Sequence, residues 1–283
     1  MHRIFLLLFF LPHETISAAA AAGGGGGCNR QRGGVVVPYP FGFSGDCPIL
    51  LDFNDTTSTP LLNHSATAGA AAPYPVMSFD ANTSTFVVSI APSCTRTVNE
   101  TRASLTGARY GVSSRTGIFL RGGCSSSRGA PANSSSCTVP SELMTGLLRT
   151  ARCGGNDTAW TCVTSAPPDP GTPAAARGEG QFMVWEKVEE AGCQDALTSA
   201  VYADTPQGLP SVEFGVAELG WWLDGGCAGG GGGGCAANAT CGEVVTPSGA
   251  RGHRCVCRDG MVGDGFAAGE GCAARGVKIE VRI

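Results

Sequence analysis

Cys235-Ala-Ala-Asn-Ala-Thr-Cys241-Gly-Glu-Val-Val-Thr-Pro-Ser-Gly-Ala-Arg-Gly-His-Arg-Cys255-Val-Cys257 holds four cysteines in 23 residues. Cys227 before it and Cys272 after it complete the spacing C-x7-C-x5-C-x13-C-x-C-x14-C, with Gly260, Gly263 and Gly265 in the last loop. Fewer than 50 residues bury too little apolar surface to fold unaided, so covalent cross-links must restrict the unfolded chain. The spacing predicts a small disulfide-stapled module over 227–272, and six cysteines alone leave 15 pairings open.

These residues resemble an EGF-like domain. The resemblance implies the pairs Cys227–Cys241, Cys235–Cys255 and Cys257–Cys272, with Met261 standing where that family usually has an aromatic residue. Calcium-binding members carry acidic and amide oxygens just before the first cysteine, as a hard cation requires. Here only Asp224 stands near, in Trp222-Leu-Asp-Gly-Gly-Cys227, so no metal site is expected.

Outward from the module, the whole chain reads as exported. It has 14 Cys and no C-x-x-C pair, which favours structural disulfides over zinc or thioredoxin-like chemistry. His2 and Arg3, the apolar run Ile4 to Leu11 and the alanines from Ala18 predict a signal peptide over 1–22. That eight-residue run is far short of the roughly 20 residues of a membrane-spanning helix, so no transmembrane segment is expected in this chain. Seven Asn-x-Ser/Thr sequons, at Asn54, Asn63, Asn82, Asn99, Asn133, Asn156 and Asn238, predict N-glycosylation. The predicted place is secreted, extracellular or cell-wall, or the outer face of the plasma membrane if the chain is part of a receptor.

Of 283 residues, 43 are Gly, 42% are hydrophobic and 15% charged, which suits two or three small units rather than one large enzyme domain. The expected fold is small, disulfide-rich and mainly β with short helices. Its divisions are a cysteine-rich domain over 28–164, a Pro/Ala/Gly linker over 165–180, a second part over 181–226, the six-cysteine module over 227–272 and a tail over 273–283. Thr85 to Ile90 and Gly117 to Leu120 read as strands, and Pro140 to Arg152 as a helix with Ser141 as N-cap. Beyond the linker, Gln181 to Trp185 and Val212 to Trp222 read as strands around a short helix near Asp195 to Tyr202.

The net charge of −4 is unevenly spread. From Cys94 to Cys153 there are eight Arg against Glu100 and Glu142, whereas residues 154–226 hold eleven acidic groups against two basic ones. Arg96, Arg102, Arg109, Arg115, Arg121 and Arg128 recur every six or seven residues through the basic segment. With 17 Arg and 2 Lys, the chain favours the planar, bidentate cation that suits carboxylates.

Near the start, Cys28-Asn-Arg-Gln-Arg-Gly-Gly-Val-Val-Val-Pro-Tyr-Pro-Phe-Gly-Phe-Ser-Gly-Asp-Cys47 is an extended run with Tyr39, Phe41 and Phe43 alternating. Those rings either anchor a small core or line a sugar-stacking surface. Trp221 and Trp222 invite the same two readings, with opposite faces for neighbours in a strand. The Tyr39-Pro-Phe-Gly-Phe segment, Gly220-Trp-Trp-Leu-Asp-Gly and the downstream module together resemble the ectodomain of plant wall-associated receptor kinases, with a galacturonan-binding domain in front. Members usually carry two cysteines where this chain has Arg32 and Phe53, which implies one bridge fewer.

The resemblance implies binding of pectin or oligogalacturonides. Arg96, Arg102, Arg109, Arg115, Arg121, Arg128, Tyr39 and Phe41 are the candidate contacts. The alternative is a protein- or peptide-binding adhesion module acting through the EGF-like unit, without carbohydrate affinity. No catalytic residue, cofactor or nucleic-acid partner is expected. There is no kinase Val-Ala-Ile-Lys, His-Arg-Asp or Asp-Phe-Gly, and no H-E-x-x-H or G-x-S-x-G. The glycine runs at 23–27 and 229–234 border cysteines and lack the strand and helix that a phosphate loop needs.

Overall fold

The computed structural model describes residues 27–63, 73–124, 137, 146, 153, 160–165, 181–204, 210–227 and 234–274. Strands β1 (Gln31–Arg32) and β2 (Val35–Val36) form a hairpin that turns on Gly33 and Gly34, both in the left-handed region that glycine tolerates best. Then follow β3 (Phe41–Gly42), β4 (Ile49–Asn54), β5 (Thr59–Leu62), β6 (Tyr74–Asp80), β7 (Thr85–Ser89), helix α1 (Val98–Leu105), β8 (Tyr110–Val112), β9 (Thr116–Arg121) and β10 (Trp160–Val163). Helix α2 (Trp185–Glu190) precedes β11 (Asp195–Asp204), β12 (Pro210–Phe214) and β13 (Val216–Trp221). The six-cysteine module supplies β14 (Leu223–Asp224), β15 (Ala239–Val245), β16 (Arg251–Cys257), β17 (Met261–Val262) and β18 (Ala273–Ala274).

One sheet runs β3-β4-β5-β6-β7-β13-β8 and a second runs β10-β9-β11-β12. All neighbours are antiparallel except β3 and β4. The main core lies where Phe41, Leu51, Leu62, Val76, Phe86, Val88, Leu219 and Trp221 of the first sheet meet Ile118, Leu120 and Ala196 of the second. The other face of the second sheet buries Phe119, Leu197 and Ala200 beside Cys162. β13 lies between β7 and β8, so residues on both sides of 165–180 build one core. The fold is mainly β, with seven disulfides joining all 14 cysteines.

Helix α1 begins with a capping box. Thr97 Oγ1 accepts from the Glu100 amide, and the Glu100 carboxylate accepts from the Thr97 amide. The Thr97 amide and the Thr97 hydroxyl both donate to the Glu100 carboxylate, which favours its ionised form and holds it below its ordinary value.

Three local readings are corrected. Residues 195–202 are strand β11 rather than a helix. Ala196, Leu197, Thr198, Ser199 and Ala200 are buried in succession between β9 and β12, and burial on both faces erases the alternation that marks a half-exposed strand. Residues 181–185 hold only an isolated bridge, Phe182 to Ser113, before α2 begins, because Trp185 and Val188 bury one helical face three residues apart. Residues 212–221 are strand as read, but in two strands of different sheets split at Gly215, which has φ of 77°, and Trp222 lies beyond the second. The expected helix over 140–152 and the signal peptide lie outside the described residues, as does nearly all of the linker.

Candidate functional site

The basic segment and the acidic segment meet in space. In α1, Arg102 pairs with Glu189 of α2, both side chains being over 40% exposed. Arg109, just before β8, donates through Nε and Nη2 to Asp224 Oδ2 at 3.0 and 2.7 Å, and through Nη1 to the Pro48 carbonyl at 3.1 Å. Arg115, in the β8–β9 turn, forms a two-pronged pair with Glu218 of β13. Glu218 is only 5% exposed while the arginine is 43% exposed. Three of the recurring arginines therefore hold acids from residues 154–226, and the opposite charges of the two stretches serve each other.

The other arginines differ. Arg96 donates to the carbonyls of Ala91 and Leu197 at 3.0 and 3.2 Å, tying the approach to α1 onto β11. Burial lowers its pKa, with the neighbouring Tyr74 opposing the shift. Arg121, at the end of β9, is 8% exposed and stands in register with Asp195 and Trp160. Arg128 lies outside the described residues. The side chains of Arg102, Arg109 and Arg115 are thus partly open to solvent, whereas Arg96 and Arg121 serve the interior.

The aromatic candidates are buried to different degrees. Phe41 is fully buried against Phe79, Phe86 and Trp221, with ring centroids 4.8 to 5.1 Å apart. No sugar can reach it, so sugar stacking at Phe41 is corrected to a core role. Both residues of β3 are buried. Tyr39 is half-buried, its ring 5.1 Å from Phe266 of the six-cysteine module. Trp221 and Trp222 are 1% and 3% exposed, the first in the main core and the second with Phe182 and Val244. Neither offers a face to a ligand.

Where the resemblance lacks two cysteines, the Arg32 guanidinium lies 5.4 Å above the Phe53 ring. A cation over an aromatic face joins β1 to β4 without a covalent bond. In the module, Cys227 is bonded to Cys241, Cys235 to Cys255 and Cys257 to Cys272. Among the described residues no group of three or more His, Cys, Asp or Glu side chains is placed to hold a metal ion.

Of the sequons, Asn54, Asn82 and Asn238 occupy turns or strand ends, Asn63 follows β5 exposed, and Asn99 lies exposed in α1. Asn133 and Asn156 lie outside the described residues. An open groove of about 490 Å³ is lined by Thr97, Val98, Asn99, Glu189, Gln194 and Asp195 among others. Its two carboxylates and its sequon make it a poor seat for a polyanion.

Sequence reasoning missed the acidic partners Glu189, Glu218 and Asp224, and also Asp264. The only local sign of Asp264 was its place between Gly263 and Gly265. The arginine partners lie 87 to 115 residues away in sequence, beyond any local pattern.

No protein-family model matches the chain, and no solved structure matches it. Two curated proteins of Arabidopsis thaliana do. Wall-associated receptor kinase-like 14 is 26% identical over 242 residues, covering 84% of this chain and 30% of its own length. Wall-associated receptor kinase-like 21 is 26% identical over 234 residues, covering 83% of this chain and 32% of its own length. The chain spans about a third of the length of these relatives. Among the described residues no helix is long and apolar enough to cross a membrane. Over most of its length, the chain carries the sequence likeness of the wall-associated receptor kinase-like proteins.

Proposed function

We propose that this chain is the extracellular recognition part of a cell-wall receptor-type protein and that it binds acidic wall polysaccharide of the pectin class. The observation that carries the reading is the set of half-exposed guanidiniums, Arg102, Arg109 and Arg115, each already bearing a carboxylate. A polyuronate presents carboxylates in series. It can compete with the exposed partners Glu189 and Asp224 for the guanidiniums of Arg102 and Arg109. Glu218 is buried and stays, so Arg115 contributes field more than a free fork. No step of bond making is proposed.

The test is binding of the folded, glycosylated protein to de-esterified pectin fragments, methyl-esterified fragments and a neutral glucan. Binding to the first alone supports the reading. Arg102→Ala with Arg109→Ala, at sites where both acids are well solvated, should weaken binding severalfold; undiminished affinity in that variant rejects this surface. Equal binding to the neutral glucan rejects the carboxylate chemistry itself.

A further inference from the structure

The six-cysteine module meets the first domain at two patches, and the chain between them is not free. From β13 the backbone passes through Trp222 directly into β14, which pairs with β16 through Leu223 with His253 and Asp224 with Gly252. Gly225 then faces His253, its carbonyl 3.0 Å from Nδ1. The connecting residues are thus already part of the module's sheet, while the Trp222 amide donates back to Arg109.

The first patch is built on the β15–β16 hairpin. Trp222 is enclosed by Phe182 and Val244, all three less than 10% exposed, and a side chain at Gly252 would collide with the Trp222 ring at 2.8 Å. Pro247, in the turn of the hairpin, sits close against Gly111 of β8. Arg254 donates through Nε to the Trp221 carbonyl at 2.7 Å and through Nη1 to Gln181 Oε1 at 3.1 Å, with its guanidinium over the Phe182 ring. Burial lowers the Arg254 pKa to about 10, so the cation stays charged at neutral pH while largely removed from water.

The second patch is built on the last loop of the module. The Asp264 side chain is 1% exposed. Its carboxylate accepts from the amides of Phe266, Glu270 and Gly271 in its own loop at 2.8 to 3.2 Å. The same carboxylate crosses to the first domain, accepting from the Tyr39 amide at 3.2 Å and from Arg30 Nη1 at 3.4 Å. Arg30 also lies 3.6 Å from Glu270, and the Tyr39 ring packs on Phe266. A buried carboxylate with five donors costs much free energy to separate from any of them.

One contact leaves a module free to swing about it, whereas two on different loops, with Leu223 and Asp224 of the connection paired into the module's sheet, remove that freedom. We infer that the six-cysteine module is docked in one fixed orientation on the first domain through a dedicated intramolecular interface centred on Trp222–Arg254 and Asp264–Arg30. It is not a hinged spacer. The two units form one recognition body, in which a ligand meets both surfaces at a set geometry. This inference is independent of which ligand is bound.

Calorimetry of the intact, oxidised glycoprotein tests it first. A single cooperative unfolding transition is expected, and two resolved transitions overturn the inference. The second test is Arg30→Ala with Arg254→Ala, which removes one cation from each patch and leaves every disulfide and the three in-loop bonds of Asp264. Hydrogen exchange at the Tyr39 amide should accelerate at least tenfold, while the Phe266, Glu270 and Gly271 amides hold their rates. No change at Tyr39, or equal acceleration at all four amides, contradicts a docking role. Should that double variant not fold, Arg30→Gln alone is read by the same four amides with the same criteria.

Discussion

The first domain and the six-cysteine module reach a fixed shape by different physical means. The first domain buries a broad apolar core across two sheets, from Val35 to Trp221. The module has few deeply buried apolar side chains, chiefly Val244, Cys255 and Phe266, and relies on three cross-links within 46 residues. A core responds to lost volume and a stapled loop to lost covalent closure, so the two regions should fail under different insults.

The largest expected effect is in the core. Phe41→Ala should destabilise by about 3–5 kcal/mol, measured by denaturant unfolding followed through tryptophan fluorescence. The signal suits the purpose because Trp160, Trp185, Trp221 and Trp222 all precede Cys227. A cost below about 1 kcal/mol would mean that Phe41 is not the centre of that core. For the module, Cys235→Ser with Cys255→Ser should cost about 2–5 kcal/mol. Its exchange protection should fall further than that of β7 and β13. Equal loss in both regions would erase the distinction drawn above.

Charge sharpens the comparison within the first domain. Arg115→Ala removes the two-pronged partner of Glu218, 5% exposed, leaves it only the charge of Arg254, and should cost about 2–3 kcal/mol. Arg102→Ala breaks a solvated pair and should cost at most about 1 kcal/mol, equal costs being the contrary result. Burial, not sequence position, sets that difference.

The smallest effect is spectroscopic. All four tyrosines lie in the first domain, and burial raises the pKa of each, Tyr110 and Tyr202 to about 12. A phenol whose folded pKa is raised contributes stability in full below its unfolded value near 10 and loses it as pH climbs toward 12. Arg254 acts in the opposite direction over the same range, because its lowered pKa favours the folded state as pH passes 10. Ultraviolet titration should therefore show phenolate forming late, with about half the amplitude near pH 12. Full ionisation near pH 10 in the folded protein would contradict the burial described for Tyr110 and Tyr202.

The module was the more legible region. Its cysteine spacing alone predicts a stapled unit over 227–272, because covalent closure leaves its mark in residue identity. The first domain was legible in β7 and β9, where Phe86 and Val88 alternate and Ile118 and Leu120 share a face. It was opaque at β11, where burial on both sides removes periodicity, and at Gly215, where one apolar run serves two sheets. The arginine repeat was visible, but its meaning was not. Six positions spaced by six or seven residues pointed to an anion-facing basic segment. Among the described residues five of the six fall in a helix, loops, turns and a strand end, and three find acids about a hundred residues away. Local pattern cannot encode such pairings.

Titration calorimetry of the folded, fully oxidised glycoprotein with a de-esterified homogalacturonan fragment, at about 10 mM and then about 100 mM salt, tests the proposed recognition most directly. Between those conditions the screening length falls from about 30 to about 10 Å. Saturable binding that weakens at least severalfold at the higher salt is the predicted result. Absence of binding at the lower salt would contradict it.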